Sequence, residues 1–500
     1  MNKHTESLKV LASGAAISLL FGIVGYLLMF LFQLFTARHF GPKNLGLFEM
    51  SFTFLNMGVL VSLIGIQGGI SRYISVYEER GDFSKLNGYL KFIFRIPIIA
   101  SLIIAALLFF LSQNIASFFN FEPVFTILLK IIALAIPFRV INEIIYQIFF
   151  AKNKILIRNI GYNIIEKVVL VVGLFIAIYF GLSIRYIIIL LSLSVLFVFI
   201  FNLLHLKLKI RFKKSQELTF AYRDWLFFSL PLFFSSMFAF VINWTDNIVI
   251  GKIMDSSSLG IYSTSFYLAS FLIFFQTSFF AIFVPVVSRL YAKKDDAELA
   301  NVYKKAQNWV FGLALPFALL FIFFAKNILI NLYGVSFSEG AIPLIILSLG
   351  LLFNVYTGLN PALLRIVKKT NFIFKTKIIA AGLNVILSIV LVKSLGIVGA
   401  AISTSVVISL EQLIYMLKVR SYLKIRHNNF INTKLIISGL MLIVFVKYMV
   451  GYFFGAGINI YWLVIISMLY LISYFSIIFF AKIFDKKDYL IFKQPSKNGG

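Results

Sequence analysis

The chain has no cysteine, only four histidines, and 19 acidic side chains against 46 basic ones in 500 residues. Without cysteine there is no disulfide framework, no thiolate nucleophile and no Cys-based metal site. The histidines lie mostly in loops or near the N-terminus and form no metal or triad constellation. The G-x-x-x-x-G-K-[ST] loop that cradles phosphates in ATP-driven pumps is also missing. Long polar loops are scarce, and catalytic groups concentrate on such loops. No enzyme, cofactor or metal is expected.

Apolar sequence is what the chain has in abundance. Hydrophobic residues make up 61%, including 58 Phe, 23 Tyr and 4 Trp. The apolar runs are 10–36, 46–68, 89–112, 124–150, 157–180, 185–206, 225–251, 259–287, 305–325, 341–364, 372–393, 397–418, 433–454 and 459–481. A hydrocarbon core needs roughly 20 apolar residues per crossing. Backbone polar groups must also be satisfied inside lipid. The pattern therefore predicts an all-α membrane protein of about 14 transmembrane helices. The first run lacks a small-residue cleavage pattern and reads as a retained span.

Charge orients these spans. With the N-terminus inside, about 35 Lys and Arg fall in inner segments and about 7 in outer ones, with about 4 inside spans. The outer seven are Arg38, Lys43, Arg185, Lys252, Lys326, Lys393 and Lys447. Both termini are thus expected to be cytoplasmic, in a multi-pass protein of the cell membrane. A net charge of +27 on a soluble chain would point to nucleic acid. Spread over many inner loops, it points instead to the anionic inner leaflet, with no nucleic-acid partner.

The chain reads as built twice. A basic stretch, 207–224, separates two six-helix lobes at 1–206 and 225–418, and 419–500 adds helices 13 and 14 with a basic tail. Leu45-Gly46-Leu47-Phe48 precedes a span closing in Ser71-Arg72, followed by a charged loop and Asn87-Gly88-Tyr89. Leu259-Gly260-Ile261-Tyr262 precedes one closing in Ser288-Arg289, a similar loop and Asn301-Val302-Tyr303. Tyr179-Phe180-Gly181-Leu182 and Ser394-Leu395-Gly396-Ile397 form matching outer turns. Six helices separate the copies, so both have the same orientation, a parallel repeat.

Ala37-Arg38-His39-Phe40-Gly41-Pro42, with Leu45 to Phe48 after it, resembles the first-hairpin signature of polysaccharide flippases. These belong to the multidrug/oligosaccharidyl-lipid/polysaccharide exporter superfamily. Asp246-Asn247-Ile248-Val249-Ile250-Gly251, Pro285 to Leu290 and Gly396 to Ala401 are similar to the same family. The resemblance implies two lobes, MATE-like in fold, around a cavity that opens alternately to each side. It implies a polyprenyl-pyrophosphate-linked oligosaccharide as cargo, with other polysaccharide assembly proteins as further partners.

Charges inside spans are costly and are functional candidates. Asp246 lies on the seventh span, which the resemblance implies lines the cavity. Its neighbours Asn243, Trp244 and Thr245 make this the most polar stretch within a span. Asp246 with Asn243 reads as a Na+ or H+ coupling site, or else as an interhelical hydrogen bond. Arg139 and Glu143 are four apart on one face of the fourth span. Arg139 is therefore a candidate substrate contact or half of a self-neutralising pair. Glu166 and Lys167 are adjacent and each needs a partner elsewhere. Glu411 lies within reach of an inner-end Lys or Arg. Glu49, near the outer end of the second span, reads as a gate or an interfacial residue.

Arg72 and Arg289 occupy equivalent positions in the two copies, at the inner ends of the second and eighth spans. Their planar guanidinium groups suit pyrophosphate oxygens, although inner-end arginines also arise from orientation alone. Trp244 and Tyr267 are candidates to stack on sugars. Pro231, Pro285, Pro316 and Pro343 can bend second-half spans. The expected function is a lipid-linked oligosaccharide flippase. A cation-coupled multidrug exporter is the alternative, favoured by Asp246, and a membrane polysaccharide polymerase ranks after both.

Overall fold

A computed structural model describes residues 3–210, 212–213, 215, 217–423, 429–454 and 458–480. The expected inner-loop charges Arg211, Lys214, Lys424 and Arg426, and the basic tail after Phe480, lie outside these. No strand occurs among the described residues. The first half comprises α1 (Lys3–Leu63), α2 (Gln67–Glu79), α3 (Phe83–Phe118), α4 (Pro123–Ala151), α5 (Ile155–Asn159), α6 (Glu166–Tyr179), α7 (Ile184–Lys209) and α8 (Tyr222–Ile253). The remainder comprises α9 (Ser256–Ala292), α10 (Asp296–Phe323), α11 (Ala325–Tyr333), α12 (Ala341–Thr357) and α13 (Asn360–Ile366). It ends with α14 (Thr370–Leu395), α15 (Ile397–Leu423), α16 (Asn429–Phe454) and α17 (Ile460–Phe480).

Among the described residues, thirteen segments are long and apolar enough to cross a membrane. The first, Leu20–Glu79, has 60 residues. At 1.5 Å per residue it is about 90 Å long, enough for two crossings of a roughly 30 Å core. The helix is interrupted at Gly41 (φ 74°, ψ 175°), followed by Pro42. Glycine takes this φ without strain, and proline tolerates the start of the next leg because it needs no N–H there. The loop expected over 37–45 is thus compressed into one break. With the first segment counted twice, the described residues provide fourteen crossings of an all-α membrane fold.

Two compact units emerge, Met1–Gly260 and Ile261–Gly500. In the first, α4 packs on α3, α7, α1 and α2, while α8 packs on α1 and α2. Trp225 of α8 is fully buried and donates from Nε1 to the Tyr77 hydroxyl of α2 at 2.9 Å. Lipid is as apolar as the side chains it touches, so close packing and interhelical hydrogen bonds hold such a bundle. The described residues between Ile210 and Ala221 form a strap along the start of α3. Thr219 N donates to Ser84 O at 3.4 Å, and Ser84 Oγ donates to Glu217 O at 3.0 Å. Asn87 Nδ2 donates to Lys213 O at 2.8 Å.

In the second unit, α15 packs on α12, α14 and α13, and α10 on α12, α16 and α17. The stretch 326–340, between the spans expected at 305–325 and 341–364, holds most of α11 followed by a 3-10 helix, Val335–Gly340. The buried faces of α11 (Ile328, Leu329) and of that turn (Phe337) explain why it folds. The span expected over 341–364 breaks between α12 and α13. Gln276 Nε2 donates to Gly358 O at 3.1 Å, Gln307 Nε2 to Tyr356 O, and the Tyr303 hydroxyl to Asn360 Oδ1 at 2.6 Å. Irregular backbone inside a membrane protein needs such substitutes.

The repeat extends to backbone conformation. Gly181 (φ 63°) joins α6 to α7, and Gly396 (φ 59°) joins α14 to α15. Gly81 (φ 69°) precedes Asp82, whose carboxylate accepts from Lys85 N at 3.0 Å and caps α3. Lys294 (φ 57°) precedes Asp295, which accepts from Glu298 N at 3.0 Å and caps α10. The backbone N–H of Lys85 is the main reason the Asp82 carboxyl is held below its ordinary value; the Lys85 ammonium and Arg80 reinforce it.

Candidate functional site

Four ionisable groups cluster inside the first unit. Arg139 on α4 is 9% exposed and makes its short contact with Glu166 at the start of α6. Glu143, one turn along α4, stands 3.8 Å from Arg139 Nε. The pair that sequence spacing puts together is therefore the looser one. A π turn, Ile160–Ile165, leads directly into α6 and delivers Glu166 to the α4 face. Such turns shift the register of everything after them and recur at functional sites. Lys167 points away, donating to its own helix at Tyr162 O (2.7 Å) and lying 4.9 Å from the Tyr162 ring. Two cations and two carboxylates cancel, which is the condition for ionised groups to persist in a span.

Amides extend this cluster. Asn202 of α7 donates to Asn142 Oδ1 at 2.9 Å, and Asn142 donates to Val195 O at 3.0 Å. Asn163 donates to Asn159 Oδ1 at 2.9 Å, and Asn159 to Ser18 Oγ at 3.1 Å. Sequence reasoning missed these asparagines. Their signal was present as polar residues within apolar runs, but the partner helix is a matter of tertiary packing.

A second polar patch lies where α1 meets α8. Gln33 Nε2 donates to Glu49 Oε1 at 3.1 Å across the Gly41 break. One turn after Glu49, Thr53 Oγ1 accepts from Asn247 Nδ2 at 3.0 Å. Phe52 lies 5.9 Å from the ring of Trp244, which stacks on Phe240 at 5.8 Å. Asp246, on the same turn of α8, is 4% exposed. Asn243 is exposed, with its amide bonded back to Ala239 O at 2.7 Å. Glu49 and Trp244 thus share one seam, and Asp246 is buried beside it.

The paired arginines belong to separate units. Arg72 is exposed on α2, its guanidinium carbon 4.7 Å from the Phe228 ring centre. Next to it is an open cavity of about 630 Å³ lined by Tyr73, Arg223, Asp224, Phe228 and Pro231. Arg289 is exposed near the end of α9, where Nε donates to Pro285 O at 3.3 Å. Glu411 is paired within its own unit, by Lys377 at 3.4 Å and the Tyr415 hydroxyl at 2.7 Å.

These features define a multi-pass α-helical membrane protein with ionised groups held among its spans. The chain belongs to the polysaccharide biosynthesis protein family, whose model matches residues 35–342. Among curated relatives it is 23% identical over 407 residues to a probable low-salt glycan biosynthesis flippase of Haloferax volcanii, covering 81% of this chain and 82% of that one. It is 25% identical over 185 residues to the capsular polysaccharide biosynthesis protein CapF of Staphylococcus aureus, covering 37% of this chain and 47% of the relative. Its fold is shared with a lipid II flippase, MurJ, in an inward closed conformation (TM-score 0.71, 18% identity, 93% of this chain and 99% of that one). An inward-facing MATE-family multidrug resistance transporter of the MOP superfamily is also similar (TM-score 0.64, 16% identity, 82% and 98%). The MATE-like fold expected from the motifs is the one observed.

Proposed function

We propose that the protein is a flippase carrying a polyprenyl-pyrophosphate-linked oligosaccharide from the cytoplasmic to the outer leaflet by alternating access. The observation that carries this reading is similarity over 81% of the chain to a glycan biosynthesis flippase, within a polysaccharide biosynthesis family. In it, the lobes 1–206 and 225–418 alternate around the cargo, both termini are cytoplasmic, and no bond is made or broken. Arg72 and Arg289 receive the pyrophosphate; both guanidinium groups are exposed and able to bind oxygens in pairs. Trp244 offers a ring to sugars, and Arg139 and Glu49 are further substrate contacts. Asp246 and Asn243 couple transport to Na+ or H+.

A second reading, a cation-coupled multidrug exporter, draws on the buried carboxyl of Asp246 and on the fold shared with a MATE-family transporter. One experiment separates the two: flipping of a fluorescent polyprenyl-pyrophosphate oligosaccharide in proteoliposomes, with cationic dye efflux measured in parallel. Glycan movement without dye efflux is expected. Arg72→Ala with Arg289→Ala should slow flipping about tenfold or more, since each loses charge-assisted hydrogen bonds. Asp246→Asn should change the pH or sodium profile of transport. Dye efflux alone would transfer the assignment to the exporter.

A further inference from the structure

Arg95 and Lys91 lie four residues apart on α3, one turn from each other on a single face. Both are exposed, and among the described residues neither meets a carboxylate within ion-pair distance. α3 has 36 residues and is about 54 Å long, well beyond a hydrocarbon core of roughly 30 Å. Its uncharged part runs from Ile96 to Phe118, about 35 Å, which matches that core. Arg95 is therefore at the membrane border, with Lys91 one turn outside it. The positive-inside bias assigns this border to the cytoplasmic leaflet.

The same face continues into the membrane as an apolar stripe. Ile99, Leu102, Ile103 and Phe110 are all exposed and follow Lys91 and Arg95 at helical spacing. Opposite the two cations, Leu218 and Phe220 of the strap and Tyr222 at the start of α8 supply a wall, with the Phe220 and Tyr222 rings stacked at 5.1 Å. Between α3 and the strap is a cavity of about 820 Å³. It is held open by the strap's hydrogen bonds to Ser84 and Asn87.

We propose that this groove binds an anionic phospholipid of the cytoplasmic leaflet, with its phosphate on Lys91 and Arg95 and an acyl chain along Ile99 to Phe110. The charge is complementary, the volume falls in the range of small-molecule sites, and the stripe runs in the direction a lipid chain takes. A glycan carrier fits less well. Beyond the two cations the polar lining is Asn87, Ser215 and the Tyr222 hydroxyl, and the Asn87 amide is committed to Phe83 O and Lys213 O. The inference stands whatever the cargo is.

Purified full-length protein would be analysed by native mass spectrometry with phosphatidylglycerol and with phosphatidylcholine of identical chains. Wild type is expected to retain one phosphatidylglycerol that Lys91→Gln with Arg95→Gln releases, with affinity weakened about thirtyfold. A photoactivatable phosphatidylglycerol should cross-link wild type within 91–110 and 212–222, which is independent of any variant's folding. Equal retention of the two lipids, unchanged retention by the variant, or adducts confined to other segments would overturn the assignment. So would displacement of the bound lipid by equimolar polyprenyl pyrophosphate, which would give the groove to the carrier.

Discussion

Glu166 owes its importance to a single partner. Two carboxylates compete for Arg139, and sequence spacing selects Glu143, the i, i+4 neighbour. The structure selects Glu166, whose side chain is 7% exposed against 25% for Glu143. Removing one partner of a buried pair leaves a charge without compensation, typically about 3 kcal/mol or more. A looser, partly exposed partner is worth about 1 kcal/mol or less. Glu166→Gln should therefore lower the thermal unfolding midpoint in detergent several degrees more than Glu143→Gln does; equal shifts would contradict the geometry. The positions of the charges were legible in the sequence, but the α4–α6 contact was not. It depends on the π turn, and nothing in Ile160 to Ile165 distinguishes that turn from ordinary helix. By contrast, the inner-end partner expected for Glu411 could be inferred, because a long Lys or Arg stem has wide reach.

Helix ends were the most legible elements. The charged loops after Arg72 and Arg289 were matched by composition alone, and both copies proved to cap the following helix with an aspartate, Asp82 and Asp295. Local side-chain-to-backbone bonds follow from sequence because their partners are three residues away. The break after Thr357 was not legible, since its supports, Gln276, Gln307 and Tyr303, come from other helices. Asp82→Ala should cost about 1 kcal/mol at neutral pH. The Asp82 carboxyl is held below its ordinary value in the folded protein, so its contribution is present above the unfolded pKa and disappears as pH falls through the folded one. The gap between wild type and Asp82→Ala in unfolding midpoint should accordingly narrow in acid. A gap that widens there would exclude the cap as its cause.

For the whole molecule, hydropathy and charge distribution sufficed to define an all-α membrane fold of about 14 crossings, because lipid permits so few alternatives. Motif order resembled that of polysaccharide flippases, and membership of the polysaccharide biosynthesis protein family over residues 35–342 agrees with that resemblance. Less legible was how the middle of the chain is distributed. Composition makes 207–224 a divider, whereas α8, which follows it, packs with α1 and α2. The strap that crosses to α8 is itself tied to α3. Peptide continuity within the strap is therefore expected to be dispensable for assembly. A gene cut after Lys214, with both fragments produced together, should yield two polypeptides that purify as one and retain the intact chain's activity. Recovery of only one fragment by affinity purification would show that covalent linkage, rather than packing, holds α8 in place.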